Sequence, residues 1–458
     1  MKYVIQAEDT ICAICSPIGV GSIAVIRVSG PDAFRIVEKM FKAKNGKKFS
    51  NLELGRVYLG EIVDSHKVID ESICIFFKSP KSFTGEDVVE IHTHGGTFVP
   101  NAVLKVLVNH GCRIASPGEF SFRSYQNGKI DLLKAESIAS LIASQTEMGA
   151  NLSIKNLSGE ISKKFNDIRN LAITLLAEIE ARVDFPEDQI PELDKKRISL
   201  LYEELISDSE RILSTYSKGR LAFSGTRVTI LGKPNAGKST LLNVLLEEDR
   251  AIVSPNPGTT RDILEADIVH NGRRIIFYDT AGLRSTKGKV EAEGVRRAKD
   301  KAEFSDVVII LVEKKDLFKN QNIIDEFFNF VPRGKRFIVA SKSDLFDKDI
   351  RLPLNTHVIS SKTRSGINSL LDKICEFSNV DIESDFAEGV LTTERQVGLL
   401  NEGLVSLRTS QDLFEDEAYF EIVSIEIREF INSISNITGE VSNNDIYDKL
   451  FSSFCIGK

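Results

Sequence analysis

The stretch Gly232-Lys233-Pro234-Asn235-Ala236-Gly237-Lys238-Ser239 limits most strongly what this 458-residue chain can fold into. It fits the G-x-x-x-x-G-K-[ST] pattern of a phosphate-binding loop, and its flanks supply the context that the pattern needs. Residues 227–231 read as a short apolar strand and 240–246 as the first turns of a helix. A strand, a glycine-bounded loop and a helix aim a row of backbone N–H groups and a positive helix end at one anion. Gly232 and Gly237 permit the tight path, Lys238 reaches the β- and γ-phosphates, and the Ser239 hydroxyl serves Mg²⁺. Asn235, Ala236 and Thr240 complete the phosphate-binding stretch.

The other parts of a nucleotide site follow in chain order. Residues 274–278 form an apolar strand ending in Asp279-Thr280-Ala281-Gly282. An Asp there can hold magnesium through water, and the Gly282 N–H can sense a γ-phosphate. Residues 307–312 and 337–340 are further buried-type strands, the second running into Ser341-Lys342-Ser343-Asp344. The Asp344 carboxylate is placed to accept hydrogen bonds from the N1–H and the exocyclic amine of guanine. Adenine has no such donor pair, and hydrogen bonds to a charged group contribute about 1.5–3 kcal/mol each, so this residue sets the base. Ser360, Ser361 and Lys362 close the far side of the base. In this order the segments read as a GTPase domain, with GTP as substrate.

Two departures from the usual pattern matter. Ser341 stands where such enzymes carry Asn, and its shorter side chain is expected to weaken a brace between the base loop and the phosphate loop. Leu283 stands where Ras-like enzymes carry a water-orienting Gln, so help with the chemistry must come from elsewhere. An arginine finger supplies roughly 10³–10⁵ in rate, and an enzyme without one needs another cation or a partner. Gly258-Thr259-Thr260-Arg261-Asp262 is a polar stretch suited to a switch, with Thr260 the second hydroxyl on Mg²⁺. Asn235 resembles the residue that binds K⁺ in cation-dependent GTPases. A potassium ion there would neutralise the same developing charge.

The chain is long enough for two or three domains, each with its own core. With 42% hydrophobic and 27% charged residues it has the composition of an ordinary soluble protein. A net charge of −7 argues against a nonspecific nucleic-acid coat, but leaves room for a local basic patch that meets structured RNA. No run is long enough to cross a bilayer, and Glu8 and Asp9 in the first ten residues do not suit a secretory or transit leader. A cytoplasmic protein without membrane partners is expected. The six cysteines then default to free thiols. Cys12 and Cys15 have CxxC spacing, but they lie in an apparent strand with no second pair, which favours core packing over a four-ligand zinc site.

Along the chain, residues 24–28, 72–77 and 88–91 read as strands and 102–108 as a helix, an α+β pattern. Residues 129–223 are helical, with Leu171, Leu175, Ile179 and Val183 on one face and Leu200, Leu201, Leu205 and Ile212 on another. The same pattern returns after residue 389 with Val397, Leu400, Leu404 and Leu407. The economical reading is one helical domain in two pieces with the GTPase inserted between them. Glu90, His92 and His94 share a strand face and form a candidate zinc set. The apolar approach to Cys455-Ile456-Gly457-Lys458 points to a docked tail.

These segments resemble one family over the whole chain. Gly19–Gly30, Phe83-Thr84-Gly85-Glu86-Asp87, His94-Gly95-Gly96, Pro117-Gly118-Glu119-Phe120, Asn127-Gly128-Lys129 and the Cys-Ile-Gly-Lys tail are similar to those of the bacterial tRNA-modification GTPases called MnmE or TrmE. The resemblance implies a multidomain α+β and α/β protein. Residues 1–122 would be a folate-binding, dimer-forming domain, 123–224 and 380–458 the two parts of a helical domain, and 225–379 an inserted Ras-like P-loop GTPase. Arg27, Glu90, Lys129 and Lys458 would bind 5,10-methylene- or 5-formyl-tetrahydrofolate. Glu291 would be the water-orienting acid, and Cys455 the tail cysteine needed for modification. Asn235 and Thr259 would contact K⁺ through side chains, while Ser254 and Asn256 would form the loop around it, followed by Pro257 and Gly258. The implied activity is C5 aminomethyl modification of the wobble uridine of certain tRNAs. It would be carried out by a homodimer with a FAD-dependent MnmG-type partner, in a heterotetramer or larger complex. A ribosome-assembly or RNA-binding GTPase without modification chemistry is the alternative, and it leaves Arg27, Glu90 and Lys129 idle.

Overall fold

The computed structural model of the chain describes residues 9–17, 19–46, 53–65, 67–184, 194–247, 265–279, 302–313, 331–345, 356–377, 389–440, 450–451, 454 and 457. Two compact units emerge. The first comprises Met1–Ala139, Leu157–Ile206 and Leu399–Lys458, the second Ser140–Asn156 and Ser207–Gly398.

The first unit opens with β1 (Ile11–Ile14), β2 (Ile23–Ser29), α1 (Ala33–Glu38), β3 (Phe41–Ala43), β4 (Val57–Asp64), β5 (Lys67–Phe77), β6 (Val88–His94), α2 (Phe98–Asn109), β7 (Arg113–Ile114) and α3 (Glu119–Gln126). The strands form one sheet in the order β3-β4-β5-β6-β2-β1-β7, antiparallel except for β1 with β7. Side chains alternate across a strand, so each strand divides its residues between two faces. Ile26, Val28, Cys74, Phe76, Val89 and Ile91 point into a core completed by Ile36 and Val37 of α1 and by Val103, Val106 and Leu107 of α2. The opposite face carries Arg27, Glu90 and His92. It also exposes Val57, Leu59 and Ile73. Cys12 is fully buried beside Cys74 and Cys112 in the core, as the packing reading of that residue expected.

Next come α4 (Leu132–Ala143), α5 (Glu147–Leu157), α6 (Glu160–Asp184) and α7 (Lys195–Ser224). In α6 the buried face is Phe165, Ile168, Ala172, Leu175 and Ile179. Leu175 and Ile179 fall where the sequence placed them. On α7 the buried face is Ile198, Tyr202, Leu205 and Ile212, and Leu200 is 63% exposed. The expectation for Leu200 fails because two residues after Ile198 is about 200° around a helix, on its far side. The Tyr202 hydroxyl meets Ser410 Oγ at 2.7 Å, and burial pushes it up to about 12.

The second unit holds β8 (Thr226–Leu231), α8 (Lys238–Glu247), β9 (Glu265–His270), β10 (Arg273–Asp279), β11 (Val307–Glu313), β12 (Arg336–Ser341), β13 (Thr356–Val358) and α9 (Ile367–Phe377). α10 (Glu394–Glu415) and α11 (Phe420–Thr438) follow, the latter packed along α6 in the first unit. The second sheet runs β13-β12-β11-β8-β10-β9, parallel except for its edge strand β9. Strand β11 is apolar on both faces, as a central parallel strand must be. Leu241, Leu242 and Leu245 of α8 and Leu370, Leu371 and Ile374 of α9 cover one side. Near the start of this sheet Asp306 takes the Arg220 guanidinium of α7 and the Arg227 N–H, 2.9 Å, which fixes the end of α7 to β8 and β11.

The first unit is organised by a desolvated charge network. Arg123 in α3 is 2% exposed. It donates to Glu119 (3.1 Å), to Glu86 (3.2 Å), to the Asp9 carbonyl (2.8 Å) and to the Asp9 carboxylate. Arg113 adds a second cation on Glu119 and Asp9. Ser29 Oγ donates to Glu86 at 2.7 Å. For both Asp9 and Glu119 burial pushes the carboxyl upward, but arginine hydrogen bonds outweigh it and leave each acid below its ordinary value.

Arg123→Ala is expected to destabilise the unfolding transition of this unit by about 3–5 kcal/mol, since it leaves buried carboxylates unpaired. Urea denaturation measures the loss. The carboxylates' contribution is complete above the unfolded-state range near 4 and lost as the pH falls through their lower folded values. The deficit of the variant should therefore shrink in acid, and a deficit independent of pH would contradict the assignment.

Candidate nucleotide and N-terminal sites

The phosphate loop leaves the central strand β8 and enters α8 at Lys238. Gly232 has φ +156°, and a Cβ there would run into the Leu311 carbonyl of β11. Asn235 adopts a left-handed backbone with φ 66°. Lys238 is 9% exposed, and its ammonium donates to the carbonyls of Gly232 (2.7 Å) and Lys233 (2.8 Å). Ala236 is buried beneath the loop, while Ser239 and Thr240 lie exposed on the first turn of α8.

The base loop is built from β12 and the turn after β13. Ser341 is buried, and its Oγ donates to the Val312 carbonyl at 3.2 Å. The brace to the phosphate loop is carried by the next residue. Lys342, with φ 59°, donates through Nζ to the Asn235 carbonyl at 3.0 Å and pairs with Glu313 at 2.6 Å. Glu313 was not singled out in the sequence. The only hint was a carboxylate ending an otherwise apolar strand. Asp344 projects into solvent, where the fully buried Ser360 donates to its Oδ1 at 2.6 Å. That hydrogen bond, helped by the charge of Lys362, holds the Asp344 carboxyl below the usual range. Ser360 is itself fixed, its N–H donating to the Ser365 carbonyl and its Oγ accepting from the Thr363 N–H. Ser361 is half-buried beside it. Asp344 is thus a preoriented carboxylate on a base loop that Lys342 ties to the phosphate loop.

Ser254, Asn256, Pro257, Gly258, Thr259, Thr260, Thr280, Ala281, Gly282 and Glu291 lie outside the described residues. Asp279 is described only as the last residue of β10, the strand next to β8.

A second constellation lies on the open face of the first sheet. Arg27 of β2 stands directly opposite Glu90 of β6. Its Nε (3.0 Å) and Nη2 (2.7 Å) both donate to Glu90 Oε1. The guanidinium sits 5.0 Å from the centre of the Phe83 ring and 5.6 Å from that of Phe120. The two rings belong to separate motifs, and the structure brings them together by pinning residues 83 and 84. Ser124 Oγ donates to the Phe83 carbonyl and Asn127 Nδ2 to the Thr84 carbonyl, each at 2.7 Å. Lys129 is exposed and donates to the Pro80 carbonyl at 2.9 Å.

His92 places Nε2 3.8 Å from Glu90 Oε2, beyond hydrogen-bond reach, and that buried nitrogen has no partner among the described residues. His94 turns instead to Asp70, Nδ1 to Oδ1 2.7 Å. Glu90, His92 and His94 therefore do not converge, and no metal-holding cluster of His, Cys, Asp and Glu occurs among the described residues. The tail returns to the same sheet. Gly457, at φ +97°, approaches β1 so closely that a Cβ would lie 2.6 Å from the Ile14 carbonyl. The neighbouring residue of β1, Ala13, is the register partner of Arg27. Cys455 and Lys458 lie outside the described residues.

Comparison with known proteins covers both sites. The description "GTP-binding protein TrmE N-terminus" matches residues 10–129, and "MnmE helical domain" matches residues 132–455. The tRNA modification GTPase MnmE of Fervidobacterium nodosum is 37% identical over 464 residues, spanning 98% of this chain and 98% of that protein. The protein of the same description from Prochlorococcus marinus is 38% identical over 470 residues and spans all of both chains. That of Christiangramia forsetii is 32% identical over 474 residues, with 99% and 100% covered.

The Asp344 carboxylate is expected to decide base choice. Asp344→Asn replaces an acceptor by a donor, so GTP binding should fall by about 10-fold or more while xanthosine triphosphate, with a 2-oxo group, gains. Competition against a fluorescent nucleotide measures both, and undiminished GTP preference would contradict the base-loop assignment.

Proposed function

Because the chain belongs to the MnmE family of tRNA modification GTPases, we propose that it hydrolyses GTP in a potassium-dependent manner to drive modification of carbon 5 of the wobble uridine of certain tRNAs. A tetrahydrofolate would supply the one-carbon unit and a FAD-dependent partner the redox chemistry, in the cytoplasm. The observation that carries this reading is the seating of the tail. Gly457 packs against Ile14 of β1, the residue next to Ala13, which is the register partner of Arg27, and this supports a role for Cys455 and Lys458 at the Arg27–Glu90 pair. A GTPase that served only as a switch has no need of that arrangement.

The residues present suit each group. Glu90 has one oxygen committed to Arg27, and the orphaned His92 nitrogen lies nearby. A pterin edge offers both donors and acceptors to such a pair, and Lys129 and Lys458 would meet the glutamate moiety. A tetrahydrofolate bound there carries a transferable one-carbon group. On the GTPase side the Asn235 carboxamide is exposed, and a left-handed backbone turns its carbonyl to Lys342. It would hold K⁺ with Thr259 and the loop of Ser254 and Asn256, supplying positive charge where the phosphoryl group leaves. Ser239 and Thr260 would hold Mg²⁺, with Asp279 behind them.

We further propose a domain plan with an N-terminal domain over residues 1–122, helical parts over 123–224 and 380–458, and an inserted GTPase domain over 225–379. The exposed apolar row Val57, Leu59 and Ile73 on the open sheet face supports a homodimer formed through the N-terminal domain. None of the described helices is long and apolar enough to cross a membrane.

GTP hydrolysis is expected to run on the order of 10²-fold faster in K⁺ than in Na⁺ at equal ionic strength. Equal rates would remove potassium from the mechanism. Calorimetry should register 5-formyl-tetrahydrofolate binding, weakened about 10-fold or more by Glu90→Gln. Absence of heat with the unaltered protein, alongside normal GTP hydrolysis, would refute the folate assignment and leave the GTPase standing.

A further inference from the structure

Strand β11 is apolar from Val307 to Val312 and then ends in a carboxylate, Glu313, whose side chain is only 17% exposed. In the parallel register of β11 with β12 its partner is Ser341, the residue that stands where such enzymes carry Asn. We propose that Glu313 is a positioning residue of the GTPase. Through Lys342 it sets the Asn235 backbone, aims the carboxamide that would hold K⁺, and supplies the brace that Ser341 lacks. This deepens, and rests on, the reading of Asn235 as a potassium ligand.

An ion pair fully open to water contributes little. This one is different in its surroundings. Glu313 Oε1 accepts from Lys342 Nζ at 2.6 Å in a mostly covered site, where a charge-assisted hydrogen bond is stronger than in water. Lys342 has φ 59°, a left-handed backbone that is unfavourable for lysine and needs interactions to hold it. That turn also takes residue 342 out of the strand's alternation. Its side chain can therefore meet Glu313, although the preceding residue is the register partner. The same ammonium donates to the Asn235 carbonyl at 3.0 Å. One cation thus joins the end of β11, the base loop and the phosphate loop.

Asn235 is itself left-handed, with φ 66°. Holding its carbonyl fixes the peptide plane and with it the direction of Cβ, which decides where the exposed carboxamide reaches. Ser341 does not do this. Its Oγ donates to the Val312 carbonyl at 3.2 Å. Yet the position is close to the phosphate loop, since a Cβ built on Gly237 would lie 4.0 Å from the Ser341 Cβ. An asparagine carboxamide at 341 extends beyond the serine hydroxyl and would meet the loop directly. With serine there, Lys342 carries the link, and Glu313 keeps that half-exposed side chain from turning into solvent.

The test titrates KCl, balanced with NaCl at constant ionic strength, against binding of a fluorescent non-hydrolysable GTP analogue to the full chain. The titration is repeated on GTP hydrolysis. In Glu313→Ala the K⁺ concentration giving half the effect should rise about 10-fold in both measurements. At saturating K⁺, kcat should stay within about two-fold of the unaltered protein. Adding Ser341→Asn should bring the half-point back to within about three-fold, because the two braces are alternatives. Thermal unfolding checks folding, and Glu313→Gln, which removes the charge and keeps the volume, replaces an alanine variant that does not fold. An unmoved half-point, even with uniformly weaker nucleotide binding, overturns the proposal and leaves the potassium reading standing. A kcat that stays low at saturating K⁺ makes the defect structural and overturns it too. A shift that Ser341→Asn does not relieve refutes the compensation for serine. If the unaltered protein ignores K⁺ in both measurements, the potassium reading falls and this inference falls with it.

Discussion

A guanidinium removed from water must be surrounded by acceptors, and around Arg123 that requirement draws together three distant segments of chain. Asp9 lies before the first strand, Glu86 in the loop before β6, and Glu119 one turn away on α3. Removing any one partner leaves a buried charge uncompensated, which is why such networks have so few tolerable rearrangements. The consequence reaches the site. The same loop that gives Glu86 to Arg123 gives Phe83 to Arg27, and the same helix that carries Arg123 carries Phe120. The Arg27–Glu90 pair is therefore framed by groups whose positions are set by a charge network outside it.

The nucleotide unit solves an equivalent problem with different means. Its phosphate loop and base loop come from opposite halves of the second sheet and have to keep a fixed spacing to span one nucleotide. Lys342 does this by crossing from the base loop to the Asn235 carbonyl with Glu313 as counter-charge. Ser341 satisfies its own hydroxyl on the neighbouring strand and does not cross the gap. A substitution that looks like a loss in the motif is thus accommodated locally, since a lysine stem is long enough to reach where serine is not. Asp344 is oriented from beneath by Ser360, a residue with no exposure of its own.

Much of this was readable from residue order. The phosphate loop, the strands around it and the position of Asp344 after β12 follow from short-range rules about glycine, helix ends and apolar runs, and the structure places each on its anticipated element. Cys12 in the core, Leu175 and Ile179 on α6 and Leu400, Leu404 and Leu407 on α10 were equally plain, whereas Val183, expected on the buried face of α6, is exposed near the end of that helix. Leu200 was not, because an apolar residue in a helical stretch shows its face only once the buried partner, here Ile198, is known. Nor was the fate of His94, which shares a strand face with Glu90 yet is captured by Asp70 on the adjacent strand. Periodicity gives the side of an element and is silent about competition among partners.

The amino-acid order by itself determined local structure: which glycine-bounded loop joins a strand to a helix, which carboxylate ends the base loop, which strands alternate and which lie buried on both sides. These depend on neighbours within a few residues, where geometry is dictated by covalent reach. Only the tertiary structure decided that Phe83 and Phe120 enclose one arginine, that Lys342 braces the phosphate loop, and that a C-terminal glycine rests on the first strand. Those contacts join residues tens to hundreds of positions apart. They are selected by burial and by the need to pair every desolvated charge, conditions that exist only after the chain has closed on itself.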